Sequence, residues 1–252
     1  MTALLVAALG GALVAFSLAL VGGGGSILAV PILVYAVGIR DPHLAIGTSA
    51  IGVGINALIG LYGKARAGAV RWRAGVPFAL AGVIGAAVGS IAGKAFDGQA
   101  LLSLFALLML VVAGLMLRRG EPLDVPERVD GVMPRLLVSG LLAGLLSGFF
   151  GIGGGFLIVP GLIAATAMPI FNAMATSLVA VAAFGTTTAA SYALSGLVDW
   201  GVAAFFIGGG FIGSLAGQRL AVRLSSVRGA LTKLFAALIV AVAIYMLWEA
   251  FA

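Results

Sequence analysis

The chain has 252 residues, of which 62% are hydrophobic and 9% are charged, and its mean hydropathy is +1.24. This balance excludes a water-soluble domain, since soluble chains carry about a quarter charged residues. We attribute the net charge of +6 to basic loops that orient the protein in a membrane, and not to a surface that binds nucleic acid. The absence of cysteine excludes disulfides and thiolate metal sites.

The apolar stretches are continuous and reach about 20 residues, the length of a membrane-spanning helix. Strands of a membrane barrel would instead alternate apolar and polar residues over about ten positions. We therefore predict an all-α, multi-pass membrane protein, whose first segment is a span rather than a removed signal peptide. Ten helical segments are predicted, at roughly 3–21, 26–39, 44–62, 74–93, 99–117, 136–150, 156–168, 170–194, 201–217 and 229–251.

A polar stretch, RRGEPLDVPERVDGVMPR at 118–135, separates the fifth segment from the sixth. It contains three prolines and eight charged residues, a composition that disfavours a helix in lipid. We interpret it as a cytoplasmic linker between a first transmembrane repeat, residues 1–117, and a second transmembrane repeat, residues 136–252.

The two halves of the chain repeat one another. The sequence GGGGSILAVP at 22–31 returns as GIGGGFLIVP at 151–160, so that Gly22 corresponds to Gly151. After a slip of one residue the repeat continues, and tryptophans fall in register in a chain that has only three. The equivalent pairs after the slip include Thr48 with Thr176, Ser49 with Ser177, Gly68 with Gly196, Trp72 with Trp200, Gly85 with Gly213 and Gly89 with Gly217.

Basic residues predict how the chain is oriented in the cell membrane. If all ten segments cross, the regions 63–73, 118–135 and 218–233 hold 12 of the 14 basic residues on one side. This arrangement places the basic loops in the cytoplasm and both termini outside, and it makes the two halves inverted-topology repeats. Segments two, six and seven are short for a span. Whether the glycine motifs are re-entrant tips or breaks between full spans therefore stays open.

The two glycine motifs are the predicted substrate site. A run of glycines ends one helix and frees N–H groups at the start of the next, where the helix dipole favours an anion. We expect the two breaks to meet near the middle of the membrane. The alternative role is close helix packing, which is our interpretation of Gly82, Gly85 and Gly89. The motif residues assigned to the site are Gly22, Gly23, Gly24, Gly25, Ser26, Gly151, Gly153, Gly154 and Gly155.

Hydroxyl residues follow both motifs, Thr48 and Ser49 in the first half and Thr176 and Ser177 in the second. Their hydroxyls can donate to an anion, but they can equally bond back to the preceding helical turn. Weaker candidates of the same kind are Asn56, Asn172, Thr186, Thr187 and Thr188.

Charged residues are absent from the clear interior of the predicted spans. The chain therefore lacks an obvious buried carboxylate for a proton relay and a fixed cationic ligand. Lys64 and Arg66 are interpreted as topology signals rather than as the lining of a cytoplasmic mouth. Asp41 and His43 are assigned to an external loop rather than to proton coupling.

The doubled pattern G-x-G-G-G/S-x-L-x-V-P, with Thr-Ser following at 48–49 and again at 176–177, resembles the sulfite exporter TauE/SafE family. Length, linker position and apolar character fit, so the resemblance covers essentially the whole chain. It implies a secondary transporter that moves small sulfur-containing anions, such as sulfite, sulfoacetate or other organosulfonates, across the cytoplasmic membrane. One departure is Ser26, which stands where the second copy has Gly155 and adds a hydroxyl.

Other functions stay open at this point. A passive channel for small solutes can use the same architecture, and the residues do not separate sulfonate from carboxylate or phosphate. A membrane scaffold is disfavoured by the short linker, and an enzyme by the absence of H-E-x-x-H and G-x-S-x-G motifs. We predict a small anionic substrate and contact with lipid, but no cofactor, metal or nucleic acid. The coupling ion, H⁺ or Na⁺, the direction of transport and a homodimer are left open.

Overall fold

The computed structural model describes residues 2–119, 132–151 and 155–224, together with residues 237, 240–245 and 248. Within these residues every regular element is helical, so the predicted all-α class is confirmed. Most of the predicted tenth segment and the centre of the predicted linker lie outside the described residues.

Nine helices follow one another in the described ranges up to residue 224, and residues 240–245 are helical as well. The second helix is composite, because 3₁₀ turns over Gly22–Leu28 lead into an α-helical turn and then a π-helical segment, Ile32–Ala36. The helices are α1 (Thr2–Val21), α2 (Gly22–Ala36), α3 (Pro42–Arg66), α4 (Trp72–Lys94), α5 (Gly98–Arg119), α6 (Val132–Phe150), α7 (Gly155–Thr166), α8 (Ile170–Leu194) and α9 (Trp200–Leu224).

Six of the described helices, α1, α3, α4, α6, α8 and α9, are long and apolar enough to cross a membrane. A helix rises 1.5 Å per residue, so the 25 residues of α3 cover about 38 Å, more than the roughly 30 Å hydrocarbon core. Length and composition therefore agree with the predicted multi-pass membrane protein.

Two helices extend beyond the predicted segments, toward the predicted linker. The sequence predicts a sixth segment that is too short to cross, but α6 begins at Val132 and has 19 residues. Its first turn contains Pro134 and Arg135, which the sequence pattern assigns to the linker. A proline is tolerated in the first turn of a helix, where its missing N–H has no intrahelical partner. At the other end of the predicted linker, α5 continues to Arg119.

The start of α3 and the ends of both α3 and α8 carry signals that the sequence encodes. Asp41 caps α3 by accepting a hydrogen bond from the backbone N–H of His43 at 2.8 Å, and Pro42 occupies the first helical position. A left-handed glycine follows the end of each helix, Gly68 with φ +68° and Gly196 with φ +72°. These two glycines are equivalent in the repeat, so the repeat also sets the helix lengths.

Glycines allow four helices to pack in two close pairs, α4 on α6 and α1 on α9. A methyl group on Gly85 would meet the carbonyl oxygen of Leu141 in α6, and one on Gly213 would meet that of Ala12 in α1. The two contacts are equivalent, because Gly85 corresponds to Gly213 in the repeat and Ala12 corresponds to Leu141. The predicted packing role of three α4 glycines is confirmed for Gly82, Gly85 and Gly89.

Helices α3 and α8 form an antiparallel central pair. Gly47 near the start of α3 approaches Tyr192 near the end of α8, and Lys64 near the end of α3 lies over the ring of Phe171 in α8. Helix α4 also packs on α8, α9 packs on α3, and α2 contacts both α7 and α8. We call the end of the pair where α3 ends the Lys64 end, and the end where α3 begins the His43 end.

Candidate functional site

The first glycine motif forms a buried break between α1 and α2. Gly22 has φ +70°, which ends α1, and the whole stretch Gly22–Leu28 is buried. A methyl group on Gly22 would meet the backbone of Met174 in α8, and one on Gly25 would meet the backbone of Leu18 in α1. Gly22 is therefore required both by its left-handed conformation and by the space available.

The second motif begins with the same backbone geometry. Gly151 follows α6 with φ +68°, and a methyl group there would meet the side chain of Ile46 in α3. Gly153 and Gly154 lie outside the described residues, and Gly155 begins α7. The two motifs thus share a left-handed glycine at equivalent positions.

The two breaks lie toward opposite ends of the α3–α8 pair. Gly22 contacts Met174, about one turn after the start of α8, whereas Gly151 contacts Ile46, about one turn after the start of α3. Because the pair is antiparallel, these contact points are about 27 Å apart along the helices. Gly22 and Gly151 therefore lie toward opposite ends of the pair, while α2 and α7, the helices that follow them, contact one another. Gly153 and Gly154 lie outside the described residues, so the meeting of the two breaks near the middle of the membrane stays a prediction.

Ser177 links the first break to α8 by a hydrogen bond. Its Oγ accepts a hydrogen bond from the N–H of Gly23 at 2.9 Å and donates to the carbonyl oxygen of Met174 at 2.7 Å. Ser26, within the break, donates to the carbonyl oxygen of Gly23 at 2.8 Å. Ser49, the equivalent of Ser177, donates back to its own helix. In this conformation the protons of all three hydroxyls are used within the protein, and their contact with a substrate stays a prediction.

Thr48 and Thr176 connect the two halves in equivalent ways. Thr48 Oγ1 accepts a hydrogen bond from the N–H of Asp199, just before α9, at 3.0 Å. Thr176 Oγ1 accepts one from the N–H of Arg71, just before α4, at 2.9 Å. These bonds position the starts of α4 and α9 on the central pair. A direct contact of either threonine with a substrate stays a prediction.

Lys64 is buried near the end of α3, although its place in a basic stretch predicts a topology signal. Its side chain is 7% exposed, and its Nζ lies 4.8 Å from the centre of the Phe171 ring. Phe171 precedes Met174 by about one helical turn, so the ammonium lies near the first glycine break. Arg66 is exposed, and its Nη1 donates to the hydroxyl of Tyr62 at 2.8 Å. In the last turn of α3, Lys64 is therefore buried against α8, whereas Arg66 is exposed.

The His43 end carries different side chains at the equivalent positions. The register of the repeat pairs Tyr192 with Lys64, and it pairs Phe171 with His43. Tyr192 is fully buried, with its ring 6.4 Å from the His43 ring and 5.7 Å from Nζ of Lys94. Sequence reasoning missed Tyr192, and its register with Lys64 is the signal that could have found it.

The weaker polar candidates divide into two groups. Asn172 Nδ2 donates to the carbonyl oxygen of Ala69 at 2.9 Å, and Thr186 and Thr187 donate to carbonyls of their own helix. The side chains of Asn56 and Thr188 are buried and have no hydrogen-bond partner. Asn172, Thr186 and Thr187 are therefore hydrogen-bonded within the protein, whereas the buried polar atoms of Asn56 and Thr188 are unpaired.

Comparisons with known proteins agree on one family. Residues 7–246 match the family described as sulfite exporter TauE/SafE. A probable membrane transporter protein of Xylella fastidiosa is 49% identical over 96% of this chain and 94% of its own length. The probable membrane transporter protein YunE of Bacillus subtilis is 23% identical over 80% of this chain and 82% of its own length. No solved structure matches the chain.

Proposed function

Because the chain belongs to the sulfite exporter TauE/SafE family, we propose that it is a secondary transporter of small sulfur-containing anions. The substrates are sulfite, sulfoacetate or other organosulfonates, moved across the cytoplasmic membrane. The family match over residues 7–246 carries the proposal, and the names of the relatives agree with transport. A passive channel and a transporter of another small anion, such as a carboxylate, are the rival functions.

The proposal includes two repeats of inverted topology. Equivalent helices of such repeats run antiparallel, and the antiparallel pairing of α3 with α8 supports this arrangement. The reciprocal packing of α1 on α9 and of α4 on α6 supports it as well, since each pair joins the first helix of one half to the fourth helix of the other. With the basic regions in the cytoplasm, the Lys64 end faces the cytoplasm and both termini lie outside.

In this proposal each end of the α3–α8 pair presents one glycine break to the anion. At the Lys64 end, the N–H groups at the start of α2 and the ammonium of Lys64 supply positive potential, while Ser177 holds the break in place. At the His43 end, the break that begins at Gly151 takes the equivalent position. Rocking of the outer helix pairs against the central pair exposes one end at a time, which is alternating access.

Replacement of Lys64 by methionine tests the site, and Arg66→Met is the matched control. Both variants remove one positive charge from the last turn of α3, but only Lys64 is buried, against Phe171 of α8. In proteoliposomes with a sulfite gradient, we expect K64M to slow initial uptake about tenfold and R66M to leave it within about twofold, because only K64M removes a charged contact to the anion. Equal uptake by the wild type and both variants would remove Lys64 from the site.

The same vesicles separate the rival functions. Uptake by a transporter saturates with sulfite concentration and follows a coupled gradient, whereas flux through a channel rises linearly. Uptake of small carboxylates without uptake of sulfite or sulfoacetate would keep an anion transporter and discard the assignment to sulfur compounds.

A further inference from the structure

Two polar atoms at the His43 end are buried without a hydrogen-bond partner. They are the hydroxyl oxygen of Tyr192 and Nδ1 of His43, and the two rings lie 6.4 Å apart. Buried polar groups in proteins nearly always have a partner, and an unpaired one costs stability. Two such groups on neighbouring rings therefore point to a polar ligand that pairs with them.

The bonding of His43 identifies which of its ring nitrogens carries the proton. Nε2 lies 3.1 Å from the carbonyl oxygen of Phe96, and a carbonyl oxygen only accepts hydrogen bonds. This contact assigns the proton of the neutral ring to Nε2, so Nδ1 is a free acceptor. The His43 end thus offers one unpaired donor, the Tyr192 hydroxyl, and one unpaired acceptor, Nδ1 of His43.

Lys94 adds a positive charge to the same place. Its Nζ donates to the carbonyl oxygen of Ser191 at 3.0 Å and to Oγ of Ser195 at 2.9 Å, which uses two of the three N–H groups of an ammonium. It also lies 5.7 Å from the centre of the Tyr192 ring. Tyr192 of α8 and Asp41, just before α3, contact His43 itself. The other charged groups on the elements that meet there are Arg40 before α3, Lys94 at the end of α4 and Asp97 in the α4–α5 connection, next to Phe96.

The second glycine break adjoins this cluster. Ile46, which contacts Gly151, follows His43 by about one turn of α3, so both lie on the same side of the helix. The arrangement parallels the Lys64 end, where Phe171 and Met174 stand in the same relation to the first break. The cluster therefore occupies the position at the second break that Lys64 occupies at the first.

From these observations we propose that Tyr192, His43 and Lys94 bind one small oxyanion together with one proton. Tyr192 and Lys94 donate hydrogen bonds to oxygens of the anion, and the proton lies between another of its oxygens and Nδ1 of His43. An anion such as hydrogen sulfite brings this proton itself. For methanesulfonate, which carries no proton near neutral pH, the proton comes from water and is held by His43. The inference rests on the proposed function, because the oxyanion is the transported substrate.

Binding of methanesulfonate to the purified full-length protein, measured by calorimetry from pH 7 to pH 9, tests the site. The charge of this probe is constant over the range, so any pH dependence belongs to the protein. In this proposal the bound state holds one more proton than the free state, so affinity falls as the pH rises over this range. We expect His43→Gln to remove this slope and Tyr192→Phe to weaken binding about tenfold while keeping the slope.

Tyr62→Phe is the matched control, since Tyr62 is exposed and bonds only to Arg66 among the described contacts of its hydroxyl. The melting temperature of each unliganded variant shows that it is folded. Y192F removes only an unpartnered hydroxyl and is expected to melt no lower than the wild type. Wild-type affinity and slope in both H43Q and Y192F would overturn the site and leave the proposed function standing. Binding of no anion at all by the wild type would overturn the proposed function itself.

Discussion

The two halves of the molecule share their backbone contacts but differ in the side chains at equivalent positions. Gly85 and Gly213 meet carbonyl oxygens of their paired helices in the same register. In contrast, Lys64 at one end of the central pair corresponds to Tyr192 at the other. The glycine contacts thus build the same scaffold twice. The side-chain differences place the Lys64 ammonium at one end and, at the other, the Tyr192 hydroxyl and Nδ1 of His43, both without a hydrogen-bond partner.

The largest expected effect is the loss of the shared scaffold. In Gly85→Leu and Gly213→Leu the new side chain meets backbone of the paired helix, so the helices must separate. We expect each change to lower the free energy of unfolding by about 3 kcal/mol, measured by denaturant titration in detergent micelles. Gly114→Leu is the control, because nothing lies within 4 Å of a methyl group there. A large loss of unfolding free energy in only one of the two variants would contradict the conclusion that both halves share the same helix packing.

A smaller difference is expected between the two left-handed glycines of the breaks. Alanine at either site costs about 1–2 kcal/mol for its conformation, but at Gly22 it also meets the backbone of Met174, whereas at Gly151 it meets only the side chain of Ile46. We expect Gly22→Ala to cost about 3 kcal/mol and Gly151→Ala about 2 kcal/mol in the same denaturant titration.

Gly196→Ala measures the conformational cost alone. Gly196 has φ +72° and nothing within 4 Å of an added methyl group, so about 1 kcal/mol is expected in the same denaturant titration. Ala167, with φ +58°, shows that this chain tolerates alanine in the left-handed conformation. Equal costs at Gly22 and Gly196 would mean that the contact with Met174 adds nothing.

The sequence pattern anticipates the elements that depend on local chemistry and on the repeat. The packing role of Gly85 follows from small residues in register, and the all-helical class follows from long apolar runs. The placement of the breaks does not follow, because the helix against which Gly22 packs is chosen by tertiary pairing. Lys64 is a similar case, since its ring partner, Phe171, lies in the other half of the chain.

The smallest expected effect concerns Asn56 and Phe184, which occupy equivalent positions against Gly210 and Gly82. Asn56 is fully buried, and neither atom of its amide has a hydrogen-bond partner. Removing an unpaired buried amide relieves its desolvation cost. We therefore expect Asn56→Phe to raise the free energy of unfolding by about 1 kcal/mol, measured in the same denaturant titration.

The packing around Phe184 indicates that an aromatic ring fits at this position. Phe184 stacks on Phe78 with ring centres 6.3 Å apart, and Phe206, the equivalent of Phe78 in the repeat, offers the corresponding partner in the other half. Phe184→Asn is the reverse control and is expected to lower the free energy of unfolding by about 3 kcal/mol, because it removes a buried ring. If N56F were instead as destabilising as F184N, the surroundings of Asn56 would fit an amide and not a ring. The two halves would then differ in their helix packing as well as in their side chains.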